Sequence, residues 1–330
     1  SFRSIFDVGE FGMGSKAATL IPGADLPEGA ERFGALLTTP AGLPRLRHDV
    51  IGLYERDGGL RWRHAERGAR ARELVLRSVA TLGNYDYGFS WVFSQDGVIA
   101  MEIDLTGQLQ VKGVSEANPR FGTAVGPHLS GVHHQHFFSF RLDFDVDGPR
   151  NRLREVYAQT LAMDSTNPHG TAFGAVSQIL TRESLAIRDL DPSKGRLWIV
   201  ENPHVVDSLG NHPGYLIAPG PLPDLHADAR AFVARRGAFA THALWATARR
   251  EDEKYSAGEF PGQDPGGAGL PTFVADDESI DDTDLVVWYS TGMTHFPRPE
   301  EWPMMPVTRI RFELKPVSFL TLRDDTRATP

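Results

Sequence analysis

The chain has 330 residues, of which 33 are Gly, 23 are Pro and none is Cys, and 41% are hydrophobic. A chain this long buries a sizeable core without covalent staples, and the lack of Cys excludes a disulfide scaffold, a thiolate metal site and a cysteine nucleophile. Its 43 acidic against 34 basic residues leave a formal charge of −9, which argues against a nucleic-acid partner. No apolar run reaches the roughly 18 residues that a membrane-spanning helix needs. Absence of Cys fits reducing and oxidising compartments alike, so cytoplasmic and secreted locations both stay open. Residues 1–6 carry neither an initiator Met nor a signal-peptide pattern, and the start reads as processed or truncated.

Turn residues punctuate the chain at short intervals. The stretches between them predict strands over 88–94, 98–105, 108–114, 136–146, 197–201, 214–217, 238–248, 285–291 and 309–315. Two segments predict helices: 151–162, with Leu153, Val156, Tyr157 and Leu161 near one face, and 226–235. The Gly-, Pro- and Asp-rich stretch 256–277 predicts a polar surface loop. Many strands, few helices, no repeat and no linker predict a mainly β chain, one large antiparallel β-sandwich over residues 1–330.

Five segments could carry chemistry. Phe6-Asp7-Val8-Gly9 sets an acid among apolar residues, where burial would raise its pKa and make it a usable base; Asp before Gly is also common in turns. Asn84-Tyr85-Asp86-Tyr87 follows Gly83 and, on composition alone, reads as a turn entering a strand. In His133-His134-Gln135-His136, strand alternation points His134 and His136 the same way, so the pair can grip one metal ion. Imidazoles without thiolates suit Zn, Cu, Fe or Ni, and incidental histidines on a polar strand are the other reading. His133 faces the opposite way and reads as structural. Asp143, Asp145 and Asp147 alternate with Leu142, Phe144 and Val146, forming either a solvated face or oxygen ligands for a hard cation such as Ca²⁺. His295 precedes prolines at 297, 299 and 303, so it sits at a strand end leading into a fixed loop.

Taken together, Asn84-Tyr85-Asp86-Tyr87, His134-Gln135-His136 and Thr294-His295-Phe296-Pro297-Arg298-Pro299 resemble the catalytic C-terminal domain of copper-containing primary amine oxidases. The segments occur in that family's order, and the resemblance runs from about residue 5 to residue 319. It implies the family's antiparallel β-sandwich as a single catalytic domain, with the family's small N-terminal domains absent from this chain. It implies that Tyr85 becomes topaquinone, restrained by Asn84, and that His134, His136 and His295 bind copper. It implies a second cation, Ca²⁺ or similar, held by Asp143, Asp145 and Asp284 with the carbonyls of Phe144 and Leu285. Leu82 and Gly83 would flank the quinone at the substrate channel, with Ile5 near its gate. The implied reaction converts a primary amine and O₂ to aldehyde, ammonia and hydrogen peroxide, through a topaquinone Schiff base from which Asp7 removes the α-proton. A homodimer is implied as well.

Three departures from the family's pattern stand out. Phe11 replaces a frequent Tyr, Thr171 replaces an Asn, and the tyrosine that bonds the quinone would fall before Ser1. The last departure raises the expectation that upstream sequence or a second polypeptide completes the channel. Two competing functions follow. One is a catalytically silent metal-binding β-sandwich lacking part of its active site. The other is a zinc hydrolase using the same three imidazoles with Asp7 as base.

Overall fold

The computed structural model describes residues 13–39, 41–115, 120–260 and 268–319. Its strands, in chain order, are β1 (Glu31–Thr38), β2 (Pro44–His64), β3 (Arg67–Leu82), β4 (Tyr85–Ser94), β5 (Ile99–Gln108), β6 (Val111–Gly113), β7 (Gly122–Gly126), β8 (Leu129–Val132) and β9 (His134–Asp143). They continue as β10 (Asn151–Thr160), β11 (Phe173–Leu180), β12 (Leu197–Glu201), β13 (Gly214–Ala218), β14 (Leu244–Ala248), β15 (Asp281–Thr283), β16 (Leu285–His295) and β17 (Met304–Val317). Two short helices, α1 (Phe232–Arg236) and α2 (Leu270–Phe273), and several 3₁₀ turns complete the described chain. Among the described residues no helix is long and apolar enough to cross a membrane. The chain is mainly antiparallel β, as expected.

Two compact units divide it: the described residues up to Phe137 with Gly292–Phe312, and Phe138–Thr291 with those from Glu313 on. In the first, neighbouring strands run β1-β2-β3-β4-β5-β17, and β6-β8-β7 form a small separate sheet. Strands β2 to β5 are joined by hairpins in continuous antiparallel register. One face of this sheet buries Val75, Val92 and Ala100. The same face carries a charged network. Arg56 donates to Glu73 and Glu102, Arg311 to Glu102, and Arg309 and Arg77 to Asp104. Glu102 and Asp104 are almost fully buried, so the arginines supply the compensation that buried carboxylates require. In the second unit the order is β17-β13-β12-β10-β11, with β15 paired to β10.

Four expectations need correction. Residues 151–162 are not a helix: Asn151–Thr160 is the strand β10. Its buried positions Asn151, Leu153 and Glu155 alternate, but two of the three are polar, so the period of two did not show as an apolar pattern. Glu155 is accommodated because it accepts from the Trp198 indole and pairs with Arg188 and Arg196. The stretch 256–277 is not all polar surface. Leu270 is fully buried and packs with Trp245, Val274, Val286 and Trp288. Residues 238–248 are not one strand, because Ala238–Thr241 is a 3₁₀ turn that precedes β14. The predicted helix 226–235 is reduced to α1.

Candidate active site

The β3–β4 hairpin turns in two residues, Gly83 and Asn84, with Leu82 paired to Tyr85. Gly83 has φ of +62°, the conformation such a tight hairpin demands at its first central residue. Tyr85, first residue of β4, lies opposite Gly107, whose φ is +112°. A Cβ on Gly107 would lie 2.4 Å from the Asn84 carbonyl oxygen and 2.9 Å from the Tyr85 Cα, so only glycine lets β5 approach the turn so closely. Gln108 N–H donates to the Asn84 carbonyl at 2.7 Å, and the Thr81 hydroxyl donates to Asp86 at 2.6 Å. Tyr85 is thereby held at the strand mouth with its side chain inward, 5% exposed.

The Tyr85 hydroxyl is buried without a hydrogen-bond partner of normal geometry. Burial raises its pKa, against which the backbone of Gln110 pulls down. Tyr87 points to the same side of β4, its ring centroid 6.4 Å from that of Tyr85. Its hydroxyl lies 2.9 Å from His136 Nδ1. Burial, with the nearby charge of Tyr85 and Asp86, pushes the Tyr87 phenol well above its ordinary range, so it stays neutral.

Three imidazoles face these tyrosines. His134 and His136 open β9, two residues apart and so on one side, while Gln135 turns away to donate to the Thr294 hydroxyl at 2.9 Å. His295 closes β16, just before the proline-rich loop. One ligating atom from each of His134, His136 and His295 falls within 4.8 Å of the other two. The Tyr85 ring centroid is 5.3 Å from that of His134 and 5.4 Å from that of His136. Beside them lies a cavity of about 20 Å³, bordered by Tyr85, Tyr87, His136, His295 and Met305. That is room for one water-sized molecule.

Hydrogen bonds orient the imidazoles. His134 Nδ1 lies 2.7 Å from the Val132 carbonyl, which can only accept, so the proton is on Nδ1 and Nε2 is a bare lone pair. His295 Nε2 lies 2.9 Å from a Glu301 carboxylate oxygen, which turns Nδ1 toward the other imidazoles. His134 Nε2 and His295 Nδ1 lie 3.3 Å apart, close enough for one cation to take both. Burial, ahead of every other cause, lowers the pKa of His134 to about 4 and that of His136 to about 3, with the neighbouring imidazoles adding to it. Both are therefore neutral ligands at pH 7. Burial alone would raise Glu301. The Arg298 backbone N–H, His295 and the Arg298 side chain overcome it and keep the carboxylate ionised.

The family model for the enzyme domain of copper amine oxidases matches residues 1–330. The chain belongs to the copper amine oxidase family. It is 41% identical over 325 residues to a histamine oxidase of Arthrobacter globiformis, covering 97% of this chain and 48% of that protein. A peroxisomal copper-containing diamine oxidase of Nicotiana tabacum is 37% identical, over 96% of this chain and 42% of its own length. Among solved structures, a copper-containing benzylamine oxidase from Hansenula polymorpha superposes with a TM-score of 0.91 at 29% identity, covering 99% of this chain and 52% of that one. The chain thus spans about half the length of the curated relatives it matches.

Within this amine oxidase domain, Tyr85, His134, His136 and His295 meet in the first unit, and Leu82, Gly83 and Asn84 line the turn beside them. Asp7 and Ile5 lie outside the described residues. In the second unit, Arg141 and Arg249 donate to Asp143 at 2.9 and 3.3 Å, and Arg249 lies 3.9 Å from Asp284. Asp284 Oδ1 is buried with no hydrogen-bond partner. Burial and the charges of Asp143 and Asp145 raise the Asp284 pKa, and Arg249 and Arg141 oppose them. Phe144 and Leu285 are buried beside these acids in sequence.

Sequence reasoning gave Tyr87 and Glu301 no role, because each meets its partner, His136 or His295, only in the fold. It passed over Glu183, Asp276 and Glu278, whose carboxylates also converge within 4.8 Å in the second unit. Glu183 is buried, accepts the Ala248 and Glu278 backbone N–H groups, and is pushed up to about 7 chiefly by burial. The acidic run at 276–278 was the available signal.

Proposed function

We propose that the chain oxidises a primary amine with O₂ and water to the aldehyde, ammonia and hydrogen peroxide, using copper and a quinone derived from Tyr85. What carries this reading is the meeting of three imidazoles with the buried hydroxyl of Tyr85, which has no hydrogen-bond partner of normal geometry. His134 Nε2, His136 Nε2 and His295 Nδ1 would hold the copper, an all-nitrogen donor set that suits it. Copper and topaquinone would supply the electrophilic carbonyl and the two-electron chemistry. The protein's own residues do the rest. The two-residue turn fixes Tyr85 at the strand mouth, Glu301 and the Val132 carbonyl lock two of the imidazoles, and the apolar side chains around the cavity limit water. Asp7 is assigned the proton transfer from the substrate α-carbon.

Two further assignments accompany this one. The orphaned Asp284 Oδ1, with Asp143 and Asp145 acting on it, supports a structural Ca²⁺-like ion completed by the carbonyls of Phe144 and Leu285. Exposed Leu36, Leu46, Leu60 and Phe93 on the first unit's strands support a homodimer, which light scattering checks.

The deciding experiment is aerobic incubation of the purified metal-free chain with Cu(II). The Tyr85 peptide should gain the mass of two oxygens less two hydrogens, and the protein should turn pink and react with phenylhydrazine. An unmodified Tyr85 peptide in fully copper-loaded protein contradicts the proposal and favours the silent metal-binding alternative.

A further inference from the structure

We propose that Tyr87 is a positioning residue for the metal: its hydroxyl oxygen accepts the Nδ1–H of His136 and thereby selects Nε2 as the ligating atom. The inference rests on the copper reading above and adds a residue to it. For His134 Nδ1 and His295 Nε2 the partner can only accept, a carbonyl and a carboxylate, so each of those nitrogens donates. His136 is different. Its partner at 2.9 Å is a hydroxyl, which can donate or accept, so the tautomer is set by the pair and the metal together. A bound ion takes the Nε2 lone pair and puts the proton on Nδ1. The Tyr87 oxygen is the acceptor placed to receive it.

The location gives this contact a second consequence. Tyr87 stands two residues after Tyr85 on β4, while His136 belongs to β9. The bond therefore ties the strand carrying the reacting tyrosine to the strand carrying two of the three ligands. Tyr87 and His136 rings meet nearly edge-on at 5.7 Å, so the orientation is fixed by packing as well as by the hydrogen bond. Tyr87→Phe keeps that ring and removes only the acceptor. His136 must then leave a buried N–H unsatisfied or move its proton to Nε2, where it blocks coordination.

The test uses the full chain, wild type and Tyr87→Phe, loaded with Cu(II) anaerobically so that Tyr85 stays unmodified. Competition dialysis should show roughly 10–100-fold weaker copper binding in Tyr87→Phe, the usual loss when a partner of a metal-bound imidazole is removed. Pulsed EPR, which detects the remote nitrogen of each coordinated imidazole, should show three in wild type and a changed coupling for one of them in the variant. Unchanged affinity with an unchanged spectrum overturns the proposal and leaves the copper reading intact. Fewer than three imidazoles on wild-type copper overturns both. A measurement on wild type alone covers the case of a variant that does not fold. In ¹⁵N-edited NMR of the zinc-loaded protein, His136 should carry its proton on Nδ1, and a proton on Nε2 overturns the inference.

Discussion

Two imidazoles at the candidate metal centre, His134 and His295, each have one nitrogen facing a group that can only accept. Burial holds His134 at about 4 and His136 at about 3, against roughly 6.5 in an unfolded chain. Between those values the unfolded state binds more protons than the folded one. The metal-free protein should therefore have its full stability above about pH 6.5 and lose it progressively as pH falls toward 4 and below. Copper loading, measured by dialysis against pH, should likewise persist well below pH 6.5; half-loading lost at pH 6.5 would contradict the buried, neutral assignment. His295→Ala should remove most of the copper and stop modification of Tyr85, and stoichiometric copper in that variant would show that the distant ligand is wrongly assigned. At this scale much of the site was legible: two histidines of one strand parity and a tyrosine in a distinctive segment need only local pattern. Tyr87 and Glu301 were not, because the first depends on where β4 lies against β9 and the second on the 3₁₀ turn Pro299–Glu301 folding back on His295.

At the scale of elements, the turn that delivers Tyr85 is built from two glycines in different hairpins. Gly107→Ala would drive a methyl into the Asn84 carbonyl and force an alanine to a φ of +112°. We expect a loss of roughly 1–3 kcal/mol in chemical denaturation, with slower quinone formation as the Tyr85 backbone shifts. Wild-type stability in that variant would mean the turn relaxes freely. The central strand β12 reads clearly because it is a nearly continuous apolar run. Strands β1 to β3 and β10 were not read as strands. In β3 and β10, buried positions are filled by Glu73 and Glu155, whose partners Arg56 and Trp198 lie on neighbouring strands, and by Asn151, which bonds Val146 in the preceding loop. A periodicity argument that counts only apolar residues loses them.

Across the whole first unit, stability draws on a buried charge network as well as on apolar packing. Burial would raise Glu102 and Asp104, but the arginines outweigh it and hold both below their ordinary values. Their contribution is thus present above the unfolded carboxylate pKa of roughly 4 and disappears as pH falls through the lower folded values. Glu102→Ala leaves Arg56 and Arg311 without their shared partner and should cost about 3 kcal/mol, read as a lower denaturant midpoint at unchanged slope. A change within a few tenths of a kcal/mol would show the network to be ornamental.

The close approach of His134 Nε2 and His295 Nδ1, 3.3 Å apart, has a consequence for the protein as a thermometer of its own metal supply. Folding brings these two nitrogens together from distant parts of the sequence, so any ion that binds only the folded chain pulls the folding equilibrium by mass action. At a thousandfold excess over its dissociation constant that pull is about 4 kcal/mol. Melting temperature should then climb with free copper and fall back on addition of a chelator, while in His295→Ala it should ignore both.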